Sequence, residues 1–248
     1  GFLRVLDSAR QAGRFRQLSI FLTFFCIYCC GMQVIIVFSG IIASKYLSTT
    51  ALIAFVFVLA AISAVGSAIS GLYQDRIGQR LTVQISLVIW VATSIGAVLL
   101  PDADASMWLL GAVGVGVGLG LGLTGAASRA LVGVLTPAHK TAEFFALWGL
   151  GYKIAGIFGP LLFGLVSAKL GQQWAMALVG GFFLVGLIGT CFVQVEAGRL
   201  AAELSEREHA DKIKEADIAA AARISATELR AVEKAAGGSP DSKPEERP

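Results

Sequence analysis

The chain has 248 residues, 56% of them hydrophobic and only 15% charged. A water-soluble domain carries about a quarter charged residues, so an ordinary soluble fold is excluded. The net charge of +3 comes without the clustered basic face that nucleic-acid binding requires, which excludes that partner.

The first segment, residues 1–17, places Phe2, Leu3, Val5, Leu6 and Ala9 near helical spacing with arginines between them. That pattern suits a helix lying in the inner headgroup layer, and it equally suits a plain cytoplasmic linker. The chain opens on Gly1 rather than Met, and no short apolar region is followed by a small-residue cleavage site. No signal peptide is therefore expected, and a fragment of a longer chain is left open.

A helix needs about 20 mostly apolar residues to cross the hydrocarbon core. Runs of that size lie at 18–43, 51–72, 81–100, 106–135, 144–168 and 175–195, so residues 18–195 read as a six-helix transmembrane domain. The connections between them are short and polar, with no room for a folded soluble insertion. Arg4, Arg10, Arg14, Arg16, Arg76, Arg80, Lys140 and Arg199 fall on one side, against Lys45 and Lys169 on the other. The excess of cations on the inner side predicts cytoplasmic termini. Beyond the last span the composition changes: of 17 acidic residues, only Asp7, Asp75, Asp102, Asp104 and Glu143 precede position 196. Residues 196–236 are rich in Ala, Glu, Lys and Arg and read as a solvated cytoplasmic helix, while 237–248 reads as a disordered tail.

Within the spans, the fourth run alternates Gly114, Gly116, Gly118, Gly120 and Gly122 with Val and Leu. In a membrane helix this makes two glycine stripes, Gly114/Gly118/Gly122 and Gly116/Gly120, and predicts close packing on more than one face. The G-x-G-x-x-G formed by Gly120, Gly122 and Gly125 lacks the preceding strand and downstream acid of a dinucleotide site. Cys26, Cys29, Cys30 and Cys191 sit in apolar runs and read as inert packing residues, so no metal site is expected. The spans hold no histidine and no carboxylate pair, His139 and His209 lying outside them. No acid–base site, and hence no enzyme and no cofactor, is expected.

Between the second and third spans stands Gly71-Leu72-Tyr73-Gln74-Asp75-Arg76-Ile77-Gly78-Gln79-Arg80. Gly71, Asp75, Arg76, Gly78 and Arg80 resemble the G-x-x-x-D-R-x-G-x-R/K loop signature of the major facilitator superfamily. Its glycines permit a tight turn, and Asp75 can meet a cation or a helix N-terminus, which makes the loop a candidate conformational latch. The bland alternative, a positive-inside hairpin, leaves Asp75 without a role. A second stretch, Ser128-Arg129, Pro137, Glu143-Phe144-Phe145, Lys153 and Gly159-Pro160-Leu161-Leu162-Phe163-Gly164, resembles the tenth and eleventh helices of one branch, the yeast vacuolar amino-acid exporters and their bacterial relatives. Gly31-Met32-Gln33 also resembles the first helix of that branch's second half. Where an Asn-Asp pair would precede Gly31, this chain has Cys29-Cys30, so an acid able to carry a proton or bind an amine is missing.

The resemblance implies an all-α integral membrane fold: six transmembrane helices as a 3+3 inverted repeat, half of a 12-helix transporter, plus the charged helical tail. It also implies a multi-pass protein of a bacterial plasma membrane, whose partners are the lipid bilayer, a small-molecule substrate and a second six-helix half, either a missing amino-terminal half or a second copy of this chain. The function expected from it is secondary transport of a small polar solute, an amino acid, by alternating access. The alternative is a truncated or split subunit that assembles with another half or acts as a scaffold. Lys153 stands near the middle of its span, where a charge is expensive. It either contacts substrate, together with Gln33, or pairs structurally with another helix. Arg129 and Glu143 flank the short connection at Pro137 as a gate or a structural pair. Gly159-Pro160 predicts a helix bend, because proline removes a backbone donor. Ser63 and Ser67 are polar groups that either line a path or bond a neighbouring helix.

Overall fold

The computed structural model describes residues 15–44, 47–99 and 107–236. Most of the amino-terminal segment, together with Lys45, Asp102, Asp104 and the tail after Ala236, lies outside the described residues. Seven α-helices follow one another: α1 (Arg16–Ala43), α2 (Thr49–Ile77), α3 (Gln79–Leu99), α4 (Met107–Leu135), α5 (Thr141–Leu170), α6 (Gln172–Cys191) and α7 (Val195–Ala236). A short 3-10 turn, Ala138–Lys140, joins α4 to α5. The first six are long and apolar enough to cross a membrane, and helices are the expected form because lipid offers backbone groups no hydrogen-bonding partner. Among the described residues there is no strand.

Two connections are tighter than the expected polar loops. Helix α2 runs on through Asp75 and Arg76 to Ile77, leaving only Gly78 before α3, and α5 runs to Leu170, leaving only Gly171 before α6. Both glycines have positive φ, 89° and 94°. A side chain would be strained there, so glycine lets one residue both end a helix and reverse the chain.

The packing has an internal two-fold pattern. Helix α4 packs on α2 as α1 packs on α5, α3 packs on α4 as α6 packs on α1, and α3 packs on α6. Exchanging α1 with α4, α2 with α5 and α3 with α6 maps this set of neighbours onto itself, which is the signature of a 3+3 repeat. The amino-acid sequence carries a trace of it. Gly66, Gly71, Leu72, Arg76, Ile77, Gly78 and Gln79 correspond at constant interval to Gly159, Gly164, Leu165, Lys169, Leu170, Gly171 and Gln172. Gly66 and Gly159 also do the same structural job. A Cβ on Gly66 would meet the Leu119 carbonyl oxygen of α4 at 2.9 Å, and one on Gly159 would run into the Cys30 carbonyl of α1.

The glycine stripes of α4 divide as the spacing predicts. Gly114, Gly118 and Gly122 face α2, where added Cβ atoms would meet Phe55, Ile62 and the Ser63 carbonyl; Gly116 and Gly120 face Thr93 and Trp90 of α3. Polar side chains fasten the same contacts. Ser67 Oγ donates to Gly122 O at 3.2 Å, Trp90 Nε1 donates to Thr124 Oγ1 at 2.9 Å, and Thr124 Oγ1 donates to Ser86 Oγ at 2.9 Å. The Trp90 ring in turn stacks on Phe183 of α6, with centroids 4.9 Å apart.

The described residues fall into two units divided after Glu203. The opening turns of α7 therefore belong to the bundle rather than to the tail. Gly198 lies against Leu135 and Gln17, and Ala202 is buried. The second unit is the remainder of α7, whose described side chains are exposed apart from the half-buried Ser205.

Replacing Gly122 by alanine pushes a methyl group into the α2 backbone, whereas Gly133 has nothing within 4 Å of the same position. Gly122→Ala is expected to destabilise the bundle by about 1–3 kcal/mol, and Gly133→Ala to leave it unchanged. Thermal unfolding of the two purified variants in detergent checks the difference.

Candidate functional site

Lys153 lies near the centre of α5 and is exposed, with no hydrogen bond or ion pair among the described residues. Helical periodicity sets it on one face with Gly149, Gly156, Pro160 and Gly164. The adjoining face carries Leu150, Ile154, Phe158, Leu161 and Leu165, all exposed. In a bilayer the bulky aliphatic face suits acyl chains and the small-residue face suits a cavity, because a charge at mid-depth costs about 2.5–3.5 kcal/mol if it must meet lipid.

Gln33 reaches this position from α1. Its Nε2 donates to the backbone carbonyl of Tyr152 at 3.2 Å, and it lies where a Cβ on Gly156 would be, 2.9 Å away. The sequence-predicted pair, Gln33 and Lys153, is thus brought to one stretch of α5, the amide bonding the residue next to the lysine. Cys26 makes a similar contact, its Sγ standing 3.7 Å from Gly151 O, and Cys30 Sγ bonds back to Cys26 O at 3.3 Å. All four cysteines are free thiols.

Arg129, on α4, is exposed, and its guanidinium carbon stands 5.4 Å from the centroid of the Trp148 ring on α5. Trp148 stacks on Tyr152 one turn further along, with centroids 6.4 Å apart, and Tyr152 precedes Lys153. Arg129 is thereby linked through the Trp148 ring to Tyr152, the residue before Lys153. The Trp148 Nε1–H is buried with no acceptor among the described residues. Trp148 and Tyr152 were not singled out from the sequence. Their four-residue spacing immediately before Lys153 is the signal that would have found them. Glu143 sits half-buried in the first turn of α5.

Pro160 is inside α5, which runs helical on both sides of it. Gly159 before it lets the α1 backbone at Cys30 come close, so the Gly-Pro step coincides with the tightest α1–α5 approach.

The loop signature divides into two roles. Arg80 Nη2 donates to Cys191 O, the last residue of α6, at 2.8 Å. It thereby satisfies a carbonyl at a helix C-terminus. Gly78 ends α2, and Gly71 is an exposed position near the end of that helix. Asp75 and Arg76 are exposed and make no ion pair among the described residues.

Comparison with known proteins agrees with this architecture. The Major Facilitator Superfamily pattern matches residues 20–234, and the chain belongs to that family. It is 25% identical over 197 residues to an uncharacterized MFS-type transporter, YxiO, of Bacillus subtilis (strain 168), covering 79% of this chain and 45% of that protein. Its fold is similar to that of a crystal structure of a mutant peptide transporter POT in complex with alafosfalin. That likeness has a TM-score of 0.58 at 20% identity, over 88% of this chain and 46% of the other. The chain thus spans just under half the length of each.

Removing the Arg80 guanidinium strips a charge-assisted donor from the end of α6. Arg80→Ala is expected to lower stability by about 1–2 kcal/mol, and Asp75→Asn, at an exposed position, to leave it unaltered. Melting temperatures of the two variants in detergent separate the structural from the non-structural part of the signature.

Proposed function

We propose that this chain is one half of a secondary transporter that moves a small polar solute, an amino acid, across a membrane by alternating access. The observation that carries the reading is Lys153: a mid-span cation on a small-residue face, exposed on the bundle and adjacent to a residue bonded by Gln33. A scaffold gains nothing from a buried-depth charge that pairs with no neighbour, whereas a solute path uses one. Family membership supports transport in general. The amino-acid assignment rests on the resemblance of the Arg129, Glu143, Lys153 and Gly159-Pro160 stretch to the vacuolar exporters and their bacterial relatives.

In this reading Lys153 holds the solute carboxylate and Gln33 fixes the backbone beside it. Arg129 and Glu143 flank the mouth of the path as a gate, and the Gly159-Pro160 step lets α5 bend as the halves rock. The second six-helix half packs against α2 and α5. These two helices are related by the internal two-fold and are the least covered of the six, with 6% and 17% of their most apolar windows buried. On α2 the exposed Ala60, Ala61, Ala64, Ala68 and Gly71 allow a close approach. Asp75 and Arg76, at the end of α2, then meet the other half and latch one state, Arg80 holding their loop to α6. Cytoplasmic termini are what the arginine distribution supports, and a bacterial plasma membrane as the setting rests on the resemblance.

The coverage of just under half of each relative favours one second reading, a split or truncated subunit that does not transport alone. Uptake of labelled amino acids into proteoliposomes separates the two, using the chain with and without a first six-helix half. Transport that needs the second half and falls at least tenfold in Lys153→Ala, at equal protein level, is the expected outcome, about the loss of one charge-assisted contact. Absence of transport in every combination would leave the scaffold reading.

A further inference from the structure

We infer that the solute is an anion, engaged by two cations at different depths, Arg129 and Lys153, with Arg129 a direct contact rather than only a gate; this rests on the transport reading above. Three observations lead there. First, the charged groups on this stretch of α4 and α5 are a guanidinium and an ammonium, and beside them the buried Trp148 Nε1–H has no acceptor among the described residues. A guanidinium, an ammonium and an indole N–H cannot accept a hydrogen bond, so together they suit a ligand rich in acceptors, as a carboxylate or comparable oxyanion is.

Second, the described spans supply no carboxylate at this depth. Asp75 lies in the last turn of α2 and Glu143 in the first turn of α5. The Cys29-Cys30 pair of α1 gives no fixed negative charge either, and both residues are buried. An amine between the levels of Trp148 and Lys153 would meet two positive charges, a repulsion that low dielectric strengthens, the nearest carboxylate of α5 being Glu143, five residues before Trp148. A net anion meets the reverse.

Third, there is room beside both cations. Gly125 lies one turn before Arg129 and Gly149 one turn before Lys153, and a Cβ at either would meet nothing within 4 Å. Trp148, over which Arg129 sits, is five residues before Lys153, so the two charges are stepped about 7–8 Å along the helix axis. Tyr152 lies between them, stacked on Trp148. A solute with two acidic groups spans that step, and one with a single acidic group passes from the first cation to the second. The Trp148 ring holds the guanidinium through its π face and leaves the planar donor edge open to a carboxylate.

The probes are succinate, aspartate, asparagine and putrescine, matched in carbon skeleton and differing in charge. Each is titrated against the chain assembled with its partner half in detergent, followed by thermal shift and by displacement of labelled succinate. Succinate and aspartate are expected to bind and compete, while asparagine and putrescine do neither. Arg129→Gln and Lys153→Gln should each weaken succinate by about tenfold or more, with Arg129→Lys and Lys153→Arg keeping most of the affinity. A purely structural role for Arg129 would instead lower the melting temperature without this rescue by charge. Putrescine or asparagine binding as tightly as succinate, no binding of either anion, or unchanged affinity in Arg129→Gln would each overturn the inference. Uptake measured in parallel keeps the two readings apart. Anion binding without transport counts against the transporter alone, and transport of neutral or cationic solutes without anion preference counts against the anion site alone.

Discussion

Everything in this bundle depends on how closely two helix backbones approach in a solvent that gives them no reason to associate. Lipid tails are as apolar as leucine, so helix pairing rests on van der Waals contact and a few interhelical hydrogen bonds. Both need the backbones near each other, and glycine is what allows it. The α2–α4 approach is set by Gly66, Gly118 and Gly122, the α1–α5 approach by Gly159, and the α3–α4 approach by Gly116 and Gly120. The polar links, Ser67 to Gly122 and Trp90 to Thr124 to Ser86, then close at ordinary hydrogen-bond distances.

The same closeness leaves α2 and α5 with broad uncovered faces. Each packs chiefly along one side, α2 on α4 and α5 on α1 and α6. On α5 the small-residue strip around Lys153 is exposed at Lys153 and Gly164, while Gly156 still meets Gln33 of α1. A lysine at that depth is tolerable only if the strip borders water or another protein surface. Close packing on one face of α5 and an uncovered face on another are thus two consequences of one arrangement of glycines.

Much of this was legible in the amino-acid sequence. Span number, the two glycine stripes of α4 and the candidates Lys153 and Gln33 all follow from apolar run length, helical spacing and the cost of charge in lipid. The single-residue turns at Gly78 and Gly171 were hidden, because polar residues such as Tyr73, Gln74 and Asp75 read as loop although they form the last turn of a long helix. The boundary of the charged tail was hidden for a similar reason. Glu196 and Arg199 mark a change of composition, yet Gly198 and Ala202 still pack on the bundle. The cluster of Arg129, Trp148 and Tyr152 needed coordinates, since only three-dimensional packing shows a guanidinium of α4 over a ring of α5. The weak repeat from Gly66 to Gln79 and from Gly159 to Gln172 was present in the sequence all along, but its glycines stand out only once their shared packing role is known.

That repeat also indicates where function has entered the scaffold. At positions with a packing or turning job the two copies agree: Gly66 with Gly159, Gly71 with Gly164, Gly78 with Gly171. At charged positions they agree at Arg76 with Lys169 and differ at Lys153 and Asp75. Lys153 corresponds to Ala60, and Asp75 corresponds to Ala168. Each charge thus occurs in one copy, with alanine in the other, although both copies provide a helix that packs equally well. Neither Lys153 nor Asp75 makes an ion pair among the described residues. One sits at the middle of its helix and the other at an end, which is how a solute contact and a state-dependent latch would be distributed in a carrier whose two ends open in turn.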